Sequence, residues 1–540
     1  MRLGKSVARS AGLAAEPGPR KAKPAPKAKP APKAKHAPKV KPAPKAKHAP
    51  KAKHAPKAKH AVKPPPAYPD ALIAFMMKDW AKKPRAKTPP IEHHEAFAKR
   101  RRALSRRFPG ETLVIPTGHE KVRANDTHYR FRPGSDFFYL TGNLEPDCVL
   151  VLEAKPQGGH RHVLYVEPNP GRSDKTFFTD HHKGELWVGP RLGVPESRAR
   201  FGVHACRPLA QLADDLAAAQ KAKGRGRGAK VRVLRGFSSQ VDERVRVNAQ
   251  GDAELASFLS EMRLLKDELE IRELVKVIEA TKRAFEDVIR TLPGARTERE
   301  VEGVFNLRAR VEGNDAGYGT IAATGANACI LHWTRNDAEI RQKDLLLLDA
   351  GIEGHQLYTA DITRTLPISG KFSKEQREVY DLVRAAHQAA LEAVKPGNDF
   401  MEPNRAAQRV LAEGLERMGI LESAEEALAP DRQLQKRYTL HGTSHMLGID
   451  VHDCAKARQE VYRYGKLRPG MVLTIEPGLY FQPDDLTVPA KYRGIGVRIE
   501  DDVLVTKAGM KNLSQSIPRD SADVERWMRG IWSKAPKRAR

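Results

Sequence analysis

The chain has 540 residues, with 95 Lys and Arg against 66 Asp and Glu, for a formal net charge of +29. Nineteen of those cations and a single acid, Glu16, lie in residues 1–63, which therefore carry +18 and leave +11 for the remainder. The high charge belongs to an arm, not to the folded part, and no apolar run approaches the ~18–20 residues of a membrane span. Met1–Ala15 has no apolar core of signal-peptide type, and Cys148, Cys206, Cys329 and Cys454 show no CxxC spacing. A cytoplasmic protein with free thiols is expected, with a transit peptide as the alternative, since no acid precedes Glu16.

Residues 21–62 are seven hexapeptides of the form Lys-Ala/Val-Lys-Pro/His-Ala-Pro, the last ending in Val62. Proline removes backbone donors and blocks helix, and lysine repulsion extends a chain that has nothing to bury. A disordered basic tail over residues 1–65 is expected, suited to nucleic acid or another polyanion. His36, His48, His54 and His60 recur in step with the repeat and read as part of it.

Order is expected from Pro65 onward. Glu92–Arg107 has helical patterning with basic residues on one side. Thr112–Ile115, Phe137–Leu140, Cys148–Glu153 and His162–Val166 read as strands, with Pro156–Gly159 turning between the last two. Arg191–Val203 and Pro208–Gln220 carry turn and helix patterns, and Lys221–Lys230 is a basic, glycine-containing loop. Alternating strands and helices predict an α/β domain over residues 66–255.

A second, α+β domain is expected over residues 256–540. Apolar residues at helical spacing run from Leu255 to Ile289, and Thr297–Glu300 has the pattern of a capping box. Strands follow at Leu345–Ala350 and Leu357–Leu366, helices at Ser373–Val394 and Glu402–Met418, and strands around Met471–Glu476 and Gly496–Val505.

The chemistry concentrates in this second part. Leu345–Leu348 runs straight into Asp349, and a carboxylate closing a buried strand is costly without a cation or donors. Gly351 and Gly354 allow a hairpin that would set Asp349 near Asp361; taken alone, the pair also fits two turn-capping aspartates. Val472–Ile475 likewise runs into Glu476. Gly496–Asp501 alternates, so Arg498 and Glu500 share one strand face opposite Val497 and Ile499. Between these segments His441, His445 and His452 fall within twelve residues. Four carboxylates and an imidazole suit two divalent cations of the Mn, Mg, Co or Zn type. Such a pair, about 3.5–4 Å apart and bridged by a hydroxide, holds a nucleophile at neutral pH and polarises a carbonyl. The remaining histidines and Arg498 would serve the tetrahedral intermediate and proton transfer.

The order Asp349, Asp361, His445, Glu476, Glu500 resembles that of the pita-bread metallopeptidases, the group of methionine aminopeptidase, prolidase, aminopeptidase P and creatinase. The segments Leu-Leu-Leu-Asp349-Ala-Gly, Asp361-Ile-Thr-Arg-Thr, His441-Gly-Thr-Ser-His445, Glu476-Pro-Gly-Leu-Tyr480 and Gly-Val-Arg498-Ile-Glu500-Asp are most similar to the aminopeptidase P (Xaa-Pro aminopeptidase) family. Tyr129–Gly142 resembles that family's amino-terminal, creatinase-like domain. The resemblance implies a pita-bread catalytic domain and hydrolysis of the amino-terminal Xaa-Pro bond of peptides, usually with manganese and often in a homo-oligomer. It implies that Asp349 binds one metal and His445 the other, that Asp361 and Glu500 bridge, and that Glu476 completes the set. His332, His441 and His452 match histidines near substrate and intermediate, and Arg498 an arginine beside the site. Met446 stands where an aromatic residue is common, at the expected substrate pocket. The alternatives are a prolidase-type dipeptidase and a non-catalytic pita-bread protein using its basic tail on nucleic acid.

Overall fold

Helix α1 (His94–Arg107), which follows a short exposed helix at Asp70–Met76, leads into the amino-terminal sheet, burying Phe97, Leu104, Arg100 and Arg101. The computed structural model describes residues 68–81, 87–221 and 230–534, so the repeat tail and most of the basic loop lie outside the described residues. The sheet has five strands: β1 (Thr112–Pro116), β2 (Val149–Ala154), β3 (His160–Val166), β4 (Ala205–Pro208) and β5 (Val231–Val233). Their order is β4-β3-β2-β1-β5. The β2–β3 hairpin and the β1–β2 pair are antiparallel, and both edge strands join in parallel. Parallel pairing requires crossovers, and the helices α3 (Val194–Phe201) and α4 (Leu212–Lys221) lie on these connections.

Phe137–Leu140 is not a strand. It lies in the helix α2 (Ser135–Thr141), in which Asp136 through Thr141 are all buried. A short run buried on every side has no periodicity to separate helix from strand. Gly142, at φ 67°, ends this helix; a Cβ there would also meet Ile91 and Phe97.

The expected helix from Leu255 is two helices, α5 (Ala249–Met262) and α6 (Glu268–Thr291). Asp267 breaks them by capping α6 in a reciprocal box with Glu270. Thr297 caps α7 (Glu298–Glu312) through Glu300, but the Glu300 side chain accepts from Arg296 N–H, so that box is not reciprocal. Apart from the short pair Asp315–Ala316 with Ile352–Glu353, the carboxy-terminal half then builds three small sheets. The first, in order β8-β7-β6, uses β6 (Ile321–Thr324), β7 (Leu345–Ala350) and β8 (Ile362–Pro367). Two amphipathic helices follow, α8 (Lys374–Ala393) and α9 (Glu402–Arg417). The other sheets are β9 (Val472–Ile475) with β12 (Asp501–Thr506) and β13 (Gly509–Asn512), and β10 (Gly478–Tyr480) with β11 (Gly496–Arg498). Helix α10 (Ser521–Lys534) closes the described chain. None of the helices described is long and apolar enough to cross a membrane.

One hydrophobic core crosses the expected boundary near residue 255, joining Phe138, Leu150 and Leu164 to Leu274, Leu357 and Leu447. A buried ionic cluster crosses it as well. Arg263, between α5 and α6, pairs with Asp136 of α2 and places Nε 2.9 Å from Asp453 Oδ1. Lys266 Nζ lies 2.9 Å from Asp453 Oδ2. The Lys266 and Arg263 charges hold the Asp453 carboxyl down to about 2 against the opposing effect of burial.

Removing one partner of such a cluster strands the other charges in the core. Asp453→Ala is expected to cost about 3–5 kcal/mol in urea unfolding. Because the carboxyl is depressed from its ordinary 3.8, its stabilisation is full above that value and is lost as pH falls through about 2. The slope of stability against pH over this acid range should therefore be steeper in the wild type than in Asp453→Asn.

Candidate active site

The hairpin expected between β7 and β8 is present, with Ala350 opposite Ile362 and Asp349 opposite Thr363. Asp361 stands one residue before β8, and Gly351 permits this packing because a Cβ there would lie 1.6 Å from the Ala360 carbonyl oxygen. Tyr358–Asp361, expected in the strand, precede it instead, after Leu357 turns through φ 63°. The histidine-rich segment lies alongside β9. Thr474 and His445 exchange bonds of 3.0 and 3.1 Å, and Glu476 N–H donates to Thr443 O at 2.9 Å. The strand expected from Gly496 to Val505 breaks at Ile499–Glu500 into β11 and β12, which belong to different sheets. Glu500 sits at that break, its N–H donating to Thr363 O at 3.1 Å.

These placements bring the five expected ligands together. Single ligand atoms of Asp361, His445 and Glu500 lie within 4.8 Å of one another. His445 Nε2 is 3.3 Å from Asp361 Oδ2 and 3.5 Å from Glu476 Oε1. Asp349 joins through the Tyr318 hydroxyl, 2.7 Å from its Oδ1 and also in contact with Asp361 Oδ1. Arg498 Nη2 approaches Asp349 Oδ2 at 2.5 Å.

The electrostatics of this cluster call for cations. Burial, then the fields of neighbouring acids, push the Glu500 carboxyl well above its usual range, and Asp349 is also raised by burial despite Arg498. Burial brings Glu476 up to about 7. His445 is desolvated, yet its contact with Asp361 and the Glu476 field hold its imidazole up to about 9. Four acids thus share one guanidinium and one imidazole. Oxygen-rich donors with such a deficit of positive charge fit divalent metal ions.

The other expected residues surround the same cavity of about 610 Å³. His332 and His452 line it and are exposed; the His452 ring packs 4.3 Å from that of His445. His441 Nδ1 donates to Gly442 O at 2.9 Å, which leaves Nε2 to accept from the Tyr480 hydroxyl at 2.7 Å. Burial, with Arg498 nearby, lowers His441 to about 4, so its ring is neutral at pH 7. Arg498 is buried and donates to the Tyr480 hydroxyl at 2.8 Å as well as to Asp349. Its charge is directed at the ligand set, not into open space. Met446 is fully buried in the core and does not line the cavity, so it does not shape the pocket as expected.

Tyr318 and Thr363 were not singled out from the sequence, and Tyr480 figured there only as a motif letter. Thr363 Oγ1 donates to Glu500 Oε2 at 2.7 Å. Asp502 also escaped notice: its Oδ2 accepts the Asp361 N–H at 3.2 Å. Of these, Tyr480 and Thr363 lie inside the quoted motifs and were within reach, whereas Tyr318 stands in a loop with no local signal.

Residues 97–225 match the amino-terminal domain of aminopeptidase P, and residues 271–507 match metallopeptidase family M24. Xaa-Pro aminopeptidase 1 of Streptomyces coelicolor is 51% identical over 471 residues, covering 86% of this chain and 93% of that protein. The solved structure of Escherichia coli aminopeptidase P superposes with a TM-score of 0.73 at 33% identity, covering 82% of this chain and 99% of the other. A zinc-substituted form of that enzyme in complex with product gives 0.72 at 33% identity over the same shares. The chain belongs to the Xaa-Pro aminopeptidase (aminopeptidase P) family of M24 metallopeptidases, with the amino-terminal domain and pita-bread catalytic domain of that family.

Proposed function

We propose that this protein removes the amino-terminal residue from peptides with proline in second position, using two divalent cations, by preference manganese. The convergence of Asp349, Asp361, His445, Glu476 and Glu500 at one end of a cavity large enough for a short peptide carries the reading. Relatives matched over nearly their whole length are named as aminopeptidases, which favours an aminopeptidase over a prolidase-type dipeptidase. None of the expected ligands is missing, which argues against a non-catalytic binding protein. The functional division of the chain falls near residue 255, and the proposal includes a homo-oligomer in the cytoplasm, where its cysteines stay as free thiols.

When bound, the cations supply activated water at neutral pH and polarise the scissile carbonyl. Asp349 is held for its part by Arg498 and Tyr318, and Glu500 by Thr363. His332 and His452, exposed beside the ligands, are placed to contact substrate and the developing oxyanion. Neutral His441 ends the relay Arg498–Tyr480–His441 and meets substrate by exchanging its bond to Tyr480 or Gly442.

Asp361→Asn should lose most metal and nearly all turnover while keeping the fold, because an amide neither neutralises nor bridges cations as a carboxylate does. Elemental analysis with kinetics on Xaa-Pro-Xaa against Xaa-Pro substrates checks both the ligand and the peptide class.

The histidines should separate by role. His445→Ala loses metal. His441→Ala and His452→Ala keep it but lower kcat/KM by about 10²–10³-fold, the scale of a lost oxyanion donor. Equal metal loss in all three variants would overturn the division.

The tail, with +18 of charge and no core, is proposed to bind polyanions. Deleting residues 1–63 should leave kcat/KM near wild type and shift elution from a heparin column to lower salt.

A further inference from the structure

Arg364 is among the largest fully buried side chains in the described structure, with no exposed surface, and it contacts neither the cavity nor the five ligand side chains. A guanidinium offers five N–H donors in a rigid plane, and here each has an acceptor. Nη1 donates to Thr363 O at 2.8 Å and to Glu500 O at 2.6 Å. Nη2 donates to Asp501 Oδ1 at 2.7 Å and to Ile517 O at 3.0 Å. Nε donates to Pro518 O at 2.7 Å.

Four of the five acceptors are backbone carbonyls, and they come from three separate chain segments. Thr363 follows Asp361 by two residues, Glu500 is itself an expected ligand, and Ile517–Pro518 leads into α10. The first two segments are joined again directly, by Glu500 N–H to Thr363 O and by Thr363 Oγ1 to Glu500 Oε2. The counter-ion, Asp501, is also fully buried and is held by Arg519, Asn512 and Ser514. Burying a charge pair is seldom the most stable choice, since well-packed apolar side chains of the same volume often do as well or better. What an apolar residue cannot do is hold three backbones at one point.

We propose that Arg364 is a positioning residue for metal binding, clamping the β8 strand and the β11–β12 break so that Asp361 and Glu500 face each other, with the segment before α10 as the third anchor. This rests on the reading of Asp361 and Glu500 as metal ligands. Lysine keeps the charge but has three donors on a flexible stem and cannot satisfy five acceptors.

The test uses full-length protein dialysed against buffered Mn²⁺ concentrations, with bound metal, kcat and KM on one Xaa-Pro-Xaa peptide, and melting of the metal-free form. Arg364→Lys should need about 10- to 100-fold more Mn²⁺ for half occupancy, the cost of losing an outer partner of a ligand. Its KM at saturating metal should stay near wild type. Asp501→Asn, which takes away the charge paired with Arg364 Nη2 and leaves the five expected ligand side chains in place, should shift occupancy in the same direction, and it decides the matter if Arg364→Lys does not fold. Wild-type Mn²⁺ occupancy and kcat in both variants, with only a lowered melting temperature, would reduce Arg364 to a stabilising role and overturn the proposal while leaving the ligand set intact. Failure of the wild type to retain Mn²⁺ would overturn the ligand reading and this inference with it.

Discussion

Charge repulsion among buried acids is the constraint around which the catalytic half is arranged. Asp349, Asp361, Glu476 and Glu500 approach one another out of water, and such groups neutralise or find cations. The surrounding structure offers partial compensation: Arg498 on Asp349, Tyr318 between Asp349 and Asp361, His445 between Asp361 and Glu476. Each leaves acid oxygens facing the cavity. The protein therefore maintains a standing electrostatic demand that divalent ions satisfy, and the architecture must resist the tendency of the acids to move apart.

That resistance comes from short elements tied by many bonds. No strand described in the catalytic half exceeds six residues. Three of the expected ligands sit where strands end or break, Asp361 before β8, Glu476 after β9 and Glu500 between β11 and β12, whereas Asp349 is paired within β7. A strand interior would present alternate residues to opposite faces, whereas a break lets neighbouring strands aim at one point. The loss of regular pairing is offset by side-chain bonds to backbone, those of Arg364 above all. The amino-terminal half is bound to this framework by a shared apolar core and by the Arg263–Asp453–Lys266 cluster. Asp453 follows His452 directly, so the same cluster that joins the halves also holds the far end of the histidine-rich segment.

Of the five expected ligand residues, Asp349 and Glu476 stood out by closing apolar strands and His445 by its histidine-rich segment, while Asp361 and Glu500 joined them as ligands through the family resemblance. An apolar strand that ends in an acid, or three histidines in a short segment, is unusual enough to mark a site without coordinates. Their partners obeyed local rules and were missed. Thr363 in a strand is ordinary, Tyr318 in a loop is ordinary, and only their hydroxyls' final neighbours make them part of the site. Arg364 is the extreme case, an arginine in a polar-looking strand whose complete burial depends on Ile517 and Pro518, over 150 residues away. Phe137–Leu140 shows the complementary failure: full burial erased the periodicity that separates helix from strand.

From the sequence alone came the basic tail's separate character, the α/β and α+β composition of the two halves, and a candidate set of metal-binding residues. Those properties reside in charge, proline content, apolar spacing and side-chain chemistry, all of which are local. Tertiary structure alone decided that the halves share a core across residue 255, that the strand at Gly496–Val505 breaks at Glu500, and that Arg498 faces Asp349. It also decided that Met446 turns into the core and away from the cavity. Each of these depends on which distant segments meet, and a buried polar group takes its role from the partner it finds there.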